Sequence, residues 1–83
     1  MGSTMVEAYV LVNAEPGRAG RTLSKTMAAV KGVLSAEDLS GPYDVMARIE
    51  ARDLDELAKL VVSKIQALQA VTRTITCPVV HLQ

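Results

Sequence analysis

The chain has 83 residues, of which 49% are hydrophobic, and its nine basic residues balance nine acidic ones. This length predicts a single domain that buries only about 60–65% of the surface of its unfolded form. Balanced charge without a Lys/Arg cluster argues against direct binding of nucleic acid. No apolar stretch approaches the roughly 20 residues that cross a bilayer, so no membrane partner is expected.

The sequence contains no motif for a signal peptide and no motif for binding a cofactor. The single Cys77 cannot form an intrachain disulfide, and the first residues lack the basic and apolar regions of a signal peptide. We therefore expect a cytoplasmic protein with one domain over residues 5–83, and residues 1–4 left over from cloning or forming a disordered tail. No Cys/His cluster has metal-ligand spacing and no Gly-rich run is placed to hold phosphates, so no cofactor is predicted.

The first half of the chain predicts a strand, a helix and a second strand. Residues 6–12 are rich in β-branched side chains, and both sets of alternate residues are apolar, so both faces of this strand are expected to be covered. This pattern predicts a strand in the interior of a sheet. A Pro-Gly pair leads into a helix expected over residues 18–30. Its buried stripe comprises Leu23, Met27 and Val30. Gly32 is expected to end the helix in a left-handed conformation, and residues 33–39 form a weaker strand that suits a sheet edge.

Gly41, Pro42, Tyr43 and Asp44 form a corner near the midpoint of the chain, after which a new strand is predicted from Tyr43. The apolar residues of that strand alternate as Val45, Ala47, Ile49 and Ala51. This alternation is typical of a strand with one buried face.

A second helix follows, in which Asp53 and Glu56 are expected to satisfy free backbone N–H groups at its start. The residues predicted on its buried face are Leu54, Leu57, Ala58, Val61, Ile65 and Leu68. The last strand, residues 71–77, presents the hydroxyls of Thr72, Thr74 and Thr76 on one phase, and Pro78 favours an edge position.

The two halves repeat each other. At one constant offset along the chain, Leu23, Met27, Val30 and Val33 are matched by Val61, Ile65, Leu68 and Val71. With right-handed crossovers, this β-α-β-β-α-β order predicts an α+β, ferredoxin-like fold with a four-stranded antiparallel sheet and two helices on one face. The open face is expected to present Tyr9, Leu11 and Met46, and two copies to dimerise through it.

Candidate chemistry points to binding rather than catalysis. The only histidine, His81, lies in the tail beyond a proline, and Cys77 is expected to fill space as a small hydrophobe. A carboxylate at Asp44, the backbone amides of the corner and the threonine hydroxyls are the groups that an α-amino acid needs. The alternative is that Asp44 only caps its own loop and that the threonines reflect strand propensity.

The residues 40–45, 53–57 and 71–76 together resemble the effector-binding domain of the Lrp/AsnC family of transcription regulators, also called the RAM domain. The resemblance covers nearly the whole chain and implies sheet-paired dimers that assemble into a ring, an octamer or a decamer, with amino-acid effectors in clefts between dimers. It implies ligand-binding roles for Gly41, Tyr43, Asp44, Thr74 and Thr76. Full regulators carry an N-terminal helix-turn-helix domain, so this chain resembles the stand-alone form.

Three functions follow from these observations. The first is a non-enzymatic amino-acid sensor, linked to transcription regulation of amino-acid metabolism, whose partners are an amino-acid effector, copies of itself and full-length Lrp/AsnC regulators. The second is a purely structural, self-assembling module without ligand. The third is a small enzyme of the dimeric ferredoxin-like barrel type. Such an enzyme needs a cavity lined by aromatic or histidine side chains, and this chain has two tyrosines and one peripheral histidine.

Overall fold

The computed structural model describes residues 5–17 and 21–80, and its elements follow the predicted β-α-β-β-α-β order. The elements are β1 (Val6–Ala14), α1 (Arg21–Ala28), β2 (Val33–Asp38), β3 (Val45–Ala51), α2 (Leu54–Leu60), which continues into a π turn (Val61–Ile65), and β4 (Val71–Pro78). The predictions for residues 1–4, for a helix start at residue 18 and for His81 lie outside the described residues. No helix in the described ranges is long and apolar enough to cross a membrane.

β1 lies in the interior of a four-stranded sheet with the order β2-β3-β1-β4. All neighbours are antiparallel: Leu11, for example, pairs with Met46 on one side and with Ile75 on the other. The interior position of β1 confirms the prediction from its apolar side chains on both phases. β2 and β4 are the edges, as predicted.

The hydrophobic core lies between the two helices and one face of the sheet. Alternate residues of β1 and β3 are buried there, as predicted for β3: Ala8, Val10, Val12, Val45, Ala47, Ile49 and Ala51. The helical turns add Leu23, Met27, Leu57, Val61 and Ile65 to the same cluster. Because both helices contribute to one core cluster on this side of the strands, they cover one face of the sheet, which confirms the ferredoxin-like arrangement.

The internal repeat extends to individual backbone hydrogen bonds. After α1, Val30 N donates to Met27 O at 3.0 Å and Val33 N to Val30 O at 3.0 Å. At the same offset after α2, the corresponding bonds run from Leu68 N to Ile65 O at 3.1 Å and from Val71 N to Leu68 O at 3.0 Å. β2 begins at Val33 and β4 at Val71. The chain therefore uses one helix-to-strand connection twice.

The face of the sheet opposite the helices is uncovered in the single chain. Tyr9 is 39% exposed, and Leu11 and Met46 are half-buried there, as predicted. Cys77 pairs with Tyr9 and is also exposed. Cys77 was predicted to fill space as a small hydrophobe, and β4 places it on this open face, where it is exposed in the single chain.

An ion pair crosses the same open face. Nε and Nη2 of Arg48 donate to Oε1 of Glu7 at 3.0 and 2.8 Å. This hydrogen bond, followed by the charge of Glu7, raises the pKa of Arg48. The open face is therefore apolar along Leu11 and Met46, and the charges of Arg48 and Glu7 on it are paired.

The cap of α2 is as predicted for Asp53. The side chain of Asp53 accepts a hydrogen bond from Glu56 N at 2.8 Å. The carboxylate of Glu56 itself accepts from Nε of Arg52 at 3.1 Å, a charge-assisted contact that lowers the pKa of Glu56.

The buried face of α2 is narrower than predicted. Leu57, Val61 and Ile65 are buried and Leu68 is partly buried, but Leu54 is 59% exposed and Ala58 is exposed too. Placing the last two on the buried face was wrong, because the helix touches the flat sheet along one stripe and they lie on its flank.

The π turn keeps this stripe on the sheet. Residues spaced by four drift about 40° around a helix of 3.6 residues per turn. The hydrogen bond from Gln66 N to Val61 O, at 2.7 Å, spans five residues and widens the last turn, which offsets the drift. Ile65 consequently faces the core and is fully buried.

Gly32 has a positive φ of 98°, as predicted, and a Cβ built there would lie 3.0 Å from Leu60 Cδ2 and 3.3 Å from Glu50 O. We expect Gly32→Ala to lower the free energy of unfolding by about 2–3 kcal/mol, from backbone strain together with crowding. Urea denaturation measures the change. The matched control is Gly17→Ala, where φ is 82° but nothing lies within 4 Å. Equal losses in the two variants would show that the contact with Leu60 contributes nothing.

Candidate functional site

The corner lies where β1 ends and β3 begins. Gly41 has φ 61° with open space around its Cα, and the Gly41–Pro42 peptide bond is cis. Nδ2 of Asn13 donates to Pro42 O at 3.0 Å, which ties the corner to the end of β1. β3 begins at Val45, two residues later than the predicted start at Tyr43, because Asp44 closes the loop with its carbonyl, which accepts from Leu39 N.

Asp44 is held by three hydrogen bonds. Its N–H donates to Val12 O at 2.8 Å, its carbonyl accepts from Leu39 N at 2.9 Å, and Oδ2 accepts from Ala14 N at 2.8 Å. The carboxylate thus caps the end of β1, a structural role, although not the cap of its own loop that was the alternative above. Among the described residues, Oδ1 has no hydrogen-bond donor, so half of the carboxylate remains available. Asp44 and the neighbouring Tyr43 are half-buried.

The threonines of β4 share one face, as predicted, and that face is the one covered by the helices. Thr74 pairs with Val12 and Thr76 with Val10, both core residues. Oγ1 of Thr74 accepts from Nε2 of Gln66 at 2.8 Å. Thr72, at the end of the strand, donates to Asn13 O at 3.3 Å.

One chain does not bring the five predicted ligand-binding residues around a single small molecule. Val45, beside the corner, and Thr74 both pair with Val12, from opposite sides of β1. Two strand spacings, about 10 Å, therefore separate the corner from the threonine strand. A cavity of about 270 Å³ includes Thr72 and Thr74 but none of the corner residues. The expected cleft, completed by a neighbouring copy, stays a prediction.

A larger cavity, of about 550 Å³, lies at the other end of the sheet, between α2, the start of β2 and the end of β3. Its lining is rich in cationic side chains, namely Lys31, Arg52, Lys59 and Lys64. The cluster could not be predicted from the sequence, because its members are scattered along the chain and Lys59 and Lys64, five residues apart, would lie on different faces of a regular α-helix. Among the described residues, no group of three or more His, Cys, Asp or Glu side chains is placed to hold a metal ion.

The sequence matches a family of regulatory domains. Residues 7–81 match the sequence model of the Lrp/AsnC ligand binding domain. A homocitrate synthase from Sulfurisphaera tokodaii is 28% identical over 71 residues, which are 86% of this chain and 15% of the enzyme. An uncharacterised helix-turn-helix transcriptional regulator from Pyrococcus furiosus is 25% identical over 71 residues, 83% of this chain and 47% of the regulator. This chain thus spans about half of the regulator and a small part of the enzyme.

Solved structures share the fold. TTHA0845 from Thermus thermophilus has a TM-score of 0.84 at 28% identity, over 94% of this chain and 96% of its own. A transcriptional regulator from Neisseria meningitidis, solved in complex with L-Met, has a TM-score of 0.73 at 18% identity, over 92% of this chain and 50% of its own. The fold is therefore found both in a chain of matching length and within a longer regulator.

Proposed function

The chain belongs to the Lrp/AsnC ligand-binding domain family, and from that premise we propose that it is a non-enzymatic, cytoplasmic module that binds a free amino acid and senses its level. The observation that carries the proposal is the family match over residues 7–81 of an 83-residue chain. The regulator from Neisseria meningitidis, with the same fold, was solved with L-Met, which supports an amino acid as the class of effector.

Assembly is part of the proposal, because one chain leaves both its sheet face and its binding site incomplete. Pairing of two open faces would cover Tyr9, Leu11 and Met46 and enclose the Arg48–Glu7 ion pair. Such dimers would then join in a ring, an octamer or a decamer. A neighbouring dimer supplies the second wall of the cleft that the corner lacks within its own chain.

Within that cleft each predicted residue has a defined task. Oδ1 of Asp44 accepts from the ligand ammonium while Oδ2 stays on Ala14 N. The backbone around Gly41 and Tyr43 receives the ligand carboxylate, and Thr74 and Thr76 contact the remaining polar atoms across the interface. A single amino-acid pocket of this kind yields a binding free energy of about −4 to −7 kcal/mol, which corresponds to affinities from millimolar to about ten micromolar.

The proposed link to transcription is the association of this module with full-length regulators. Relatives that carry a helix-turn-helix are about twice as long as this chain, which covers 47% of one of them. We propose that this module mixes with full-length Lrp/AsnC regulators through the shared sheet face and so adjusts their activity, without contacting DNA itself. Native mass spectrometry of the chain with such a regulator tests this, since only homo-oligomers would be observed if the interfaces do not match.

We expect Asp44→Asn to weaken amino-acid binding about 10- to 100-fold, because it removes the charge that pairs with the ammonium. The amide oxygen still accepts from Ala14 N, so the corner keeps its shape. Calorimetry against each of the twenty amino acids measures the affinities. The matched control is Asp38→Asn, an exposed carboxylate at the end of β2. Unchanged binding in Asp44→Asn removes Asp44 from the site, and no binding to the unmodified protein favours the structural module without ligand.

A further inference from the structure

The cavity of about 550 Å³ is built at the end of the sheet opposite the corner. β3 runs from Val45, beside the corner, to Ala51, beside the cavity. The floor comprises Gly32, Ala51 and Leu60, and the rim is polar. Because a Cβ at Gly32 would press on Leu60 at 3.0 Å, the glycine lets the helix and the strand approach closely and defines the floor. The volume lies within the range of roughly 300–1,000 Å³ of small-molecule sites.

The side chains around the cavity carry an excess of positive charge. Four cations, Lys31, Arg52, Lys59 and Lys64, and one acid, Glu56, line it, while the side chain of Glu50 lies beside Glu7 on the open face of the sheet. Arg52 and Glu56 neutralise each other through their ion pair. The three lysines form no ion pair with a described residue. The cavity is left with a net charge of +3 from these lysines.

The wall on the helix side is formed by an irregular segment. Ser63 and Lys64 line the cavity and belong to the π turn. The Oγ of Ser63 donates to Lys59 O, which anchors the backbone of this wall. Such widened turns occur frequently at functional sites, because the extra residue changes the direction in which side chains point. Here the turn keeps Ile65 in the core while Lys64 borders the cavity.

We propose that this cavity binds a small organic dianion, a dicarboxylate or a phosphate monoester, at a site separate from the corner. Each negative charge of such a ligand can pair with one of the three lysines, because lysine ammonium groups are common partners of phosphate and carboxylate oxygens. The apolar floor of Ala51 and Leu60 favours a ligand with a carbon skeleton over inorganic phosphate alone. This site does not depend on the amino-acid cleft.

Titration of the ¹⁵N-labelled protein at about 0.1 M salt tests the proposal, with succinate and glycerol 3-phosphate as dianions and with acetate and glycerol as probes of lower charge. We expect saturable shifts of the Gly32, Ala51 and Lys64 amides with at least one dianion, and none with acetate or glycerol. Which dianion binds more tightly distinguishes a dicarboxylate site from a phosphate monoester site. The double variant Lys59→Gln and Lys64→Gln should weaken binding about 10-fold or more.

Lys25→Gln is the matched control, because Lys25 is an exposed lysine on α1 that does not line the cavity. Its affinity should stay within about twofold of the unmodified protein. Equal weakening in the control and in the double variant would mean that overall charge attracts the anion, which overturns the site. The same conclusion follows if no probe saturates below about 20 mM. Asp44→Asn should bind the dianion normally, so failure of the amino-acid proposal and failure of this one are distinguishable.

Discussion

Ile65→Ala is expected to lower the free energy of unfolding by about 3–4 kcal/mol. Ile65 is fully buried where the π turn meets the sheet, and it belongs to the same cluster as Val10 and Ile49. Alanine removes three carbons and leaves a cavity that the strands cannot close. At about 0.05–0.15 kcal/mol per residue, a domain of this size has about 4–12 kcal/mol in total, so the variant loses a large share of its stability.

Urea denaturation at a fixed protein concentration measures this loss, since the proposed self-association would make stability depend on concentration. Val62→Ala is the matched control: it shortens an aliphatic side chain in the same π turn, but Val62 is 59% exposed. The control should change stability by less than about 0.5 kcal/mol. A loss in Ile65→Ala no larger than in the control would contradict the packing of the π turn on the sheet.

Leu11→Lys is expected to weaken the proposed dimer roughly 1,000-fold, because each of the two copies would bury a charge at a cost of about 2 kcal/mol. Leu11 is central to the open face, between Met46 and Ile75, and its backbone pairing does not depend on its side chain. The half-buried position in one chain leaves room for a lysine to reach solvent when the chain is alone. Sedimentation velocity over a range of concentrations measures the dissociation constant.

Val62→Lys is the control for this experiment, because it adds the same charge to an exposed apolar position on the helical side. Its dissociation constant should match that of the unmodified protein. Should the control dissociate and Leu11→Lys stay dimeric, the interface would lie on the helices rather than on the sheet. A monomeric unmodified protein would remove the second wall of the proposed cleft, and the amino-acid proposal with it.

Local patterns in the sequence predicted most of the fold. Three features were predicted without the structure: the alternating apolar pattern of β3, the apolar side chains on both faces of β1 and the N-cap at Asp53. Each depends only on residues close to one another in the chain. The repeated apolar residues predicted two equivalent helix-to-strand connections, and the structure shows them with equivalent hydrogen bonds. The exposure of Leu54 and Ala58 was missed, because periodicity does not say how wide a helical face the sheet covers.

The residues of the candidate site were predicted from the sequence, but their positions relative to one another were not. The Gly-Pro corner and the row of threonines were found from residue type, but the bond from Ala14 N to Asp44 and the contact between Gln66 and Thr74 join distant positions. The five predicted ligand-binding residues therefore remain a proposal for an assembled protein.

By itself, the sequence determined the order of the strands and helices, the face of the sheet that is buried and the start of α2, because each follows from side-chain periodicity or capping over a few residues. Only the tertiary structure decided that Lys31 meets Lys59 and Lys64 around one cavity and that β1 separates the corner from the threonine strand. These placements depend on strand register and on how α2 lies across the sheet, and both are set by packing between residues far apart in the chain.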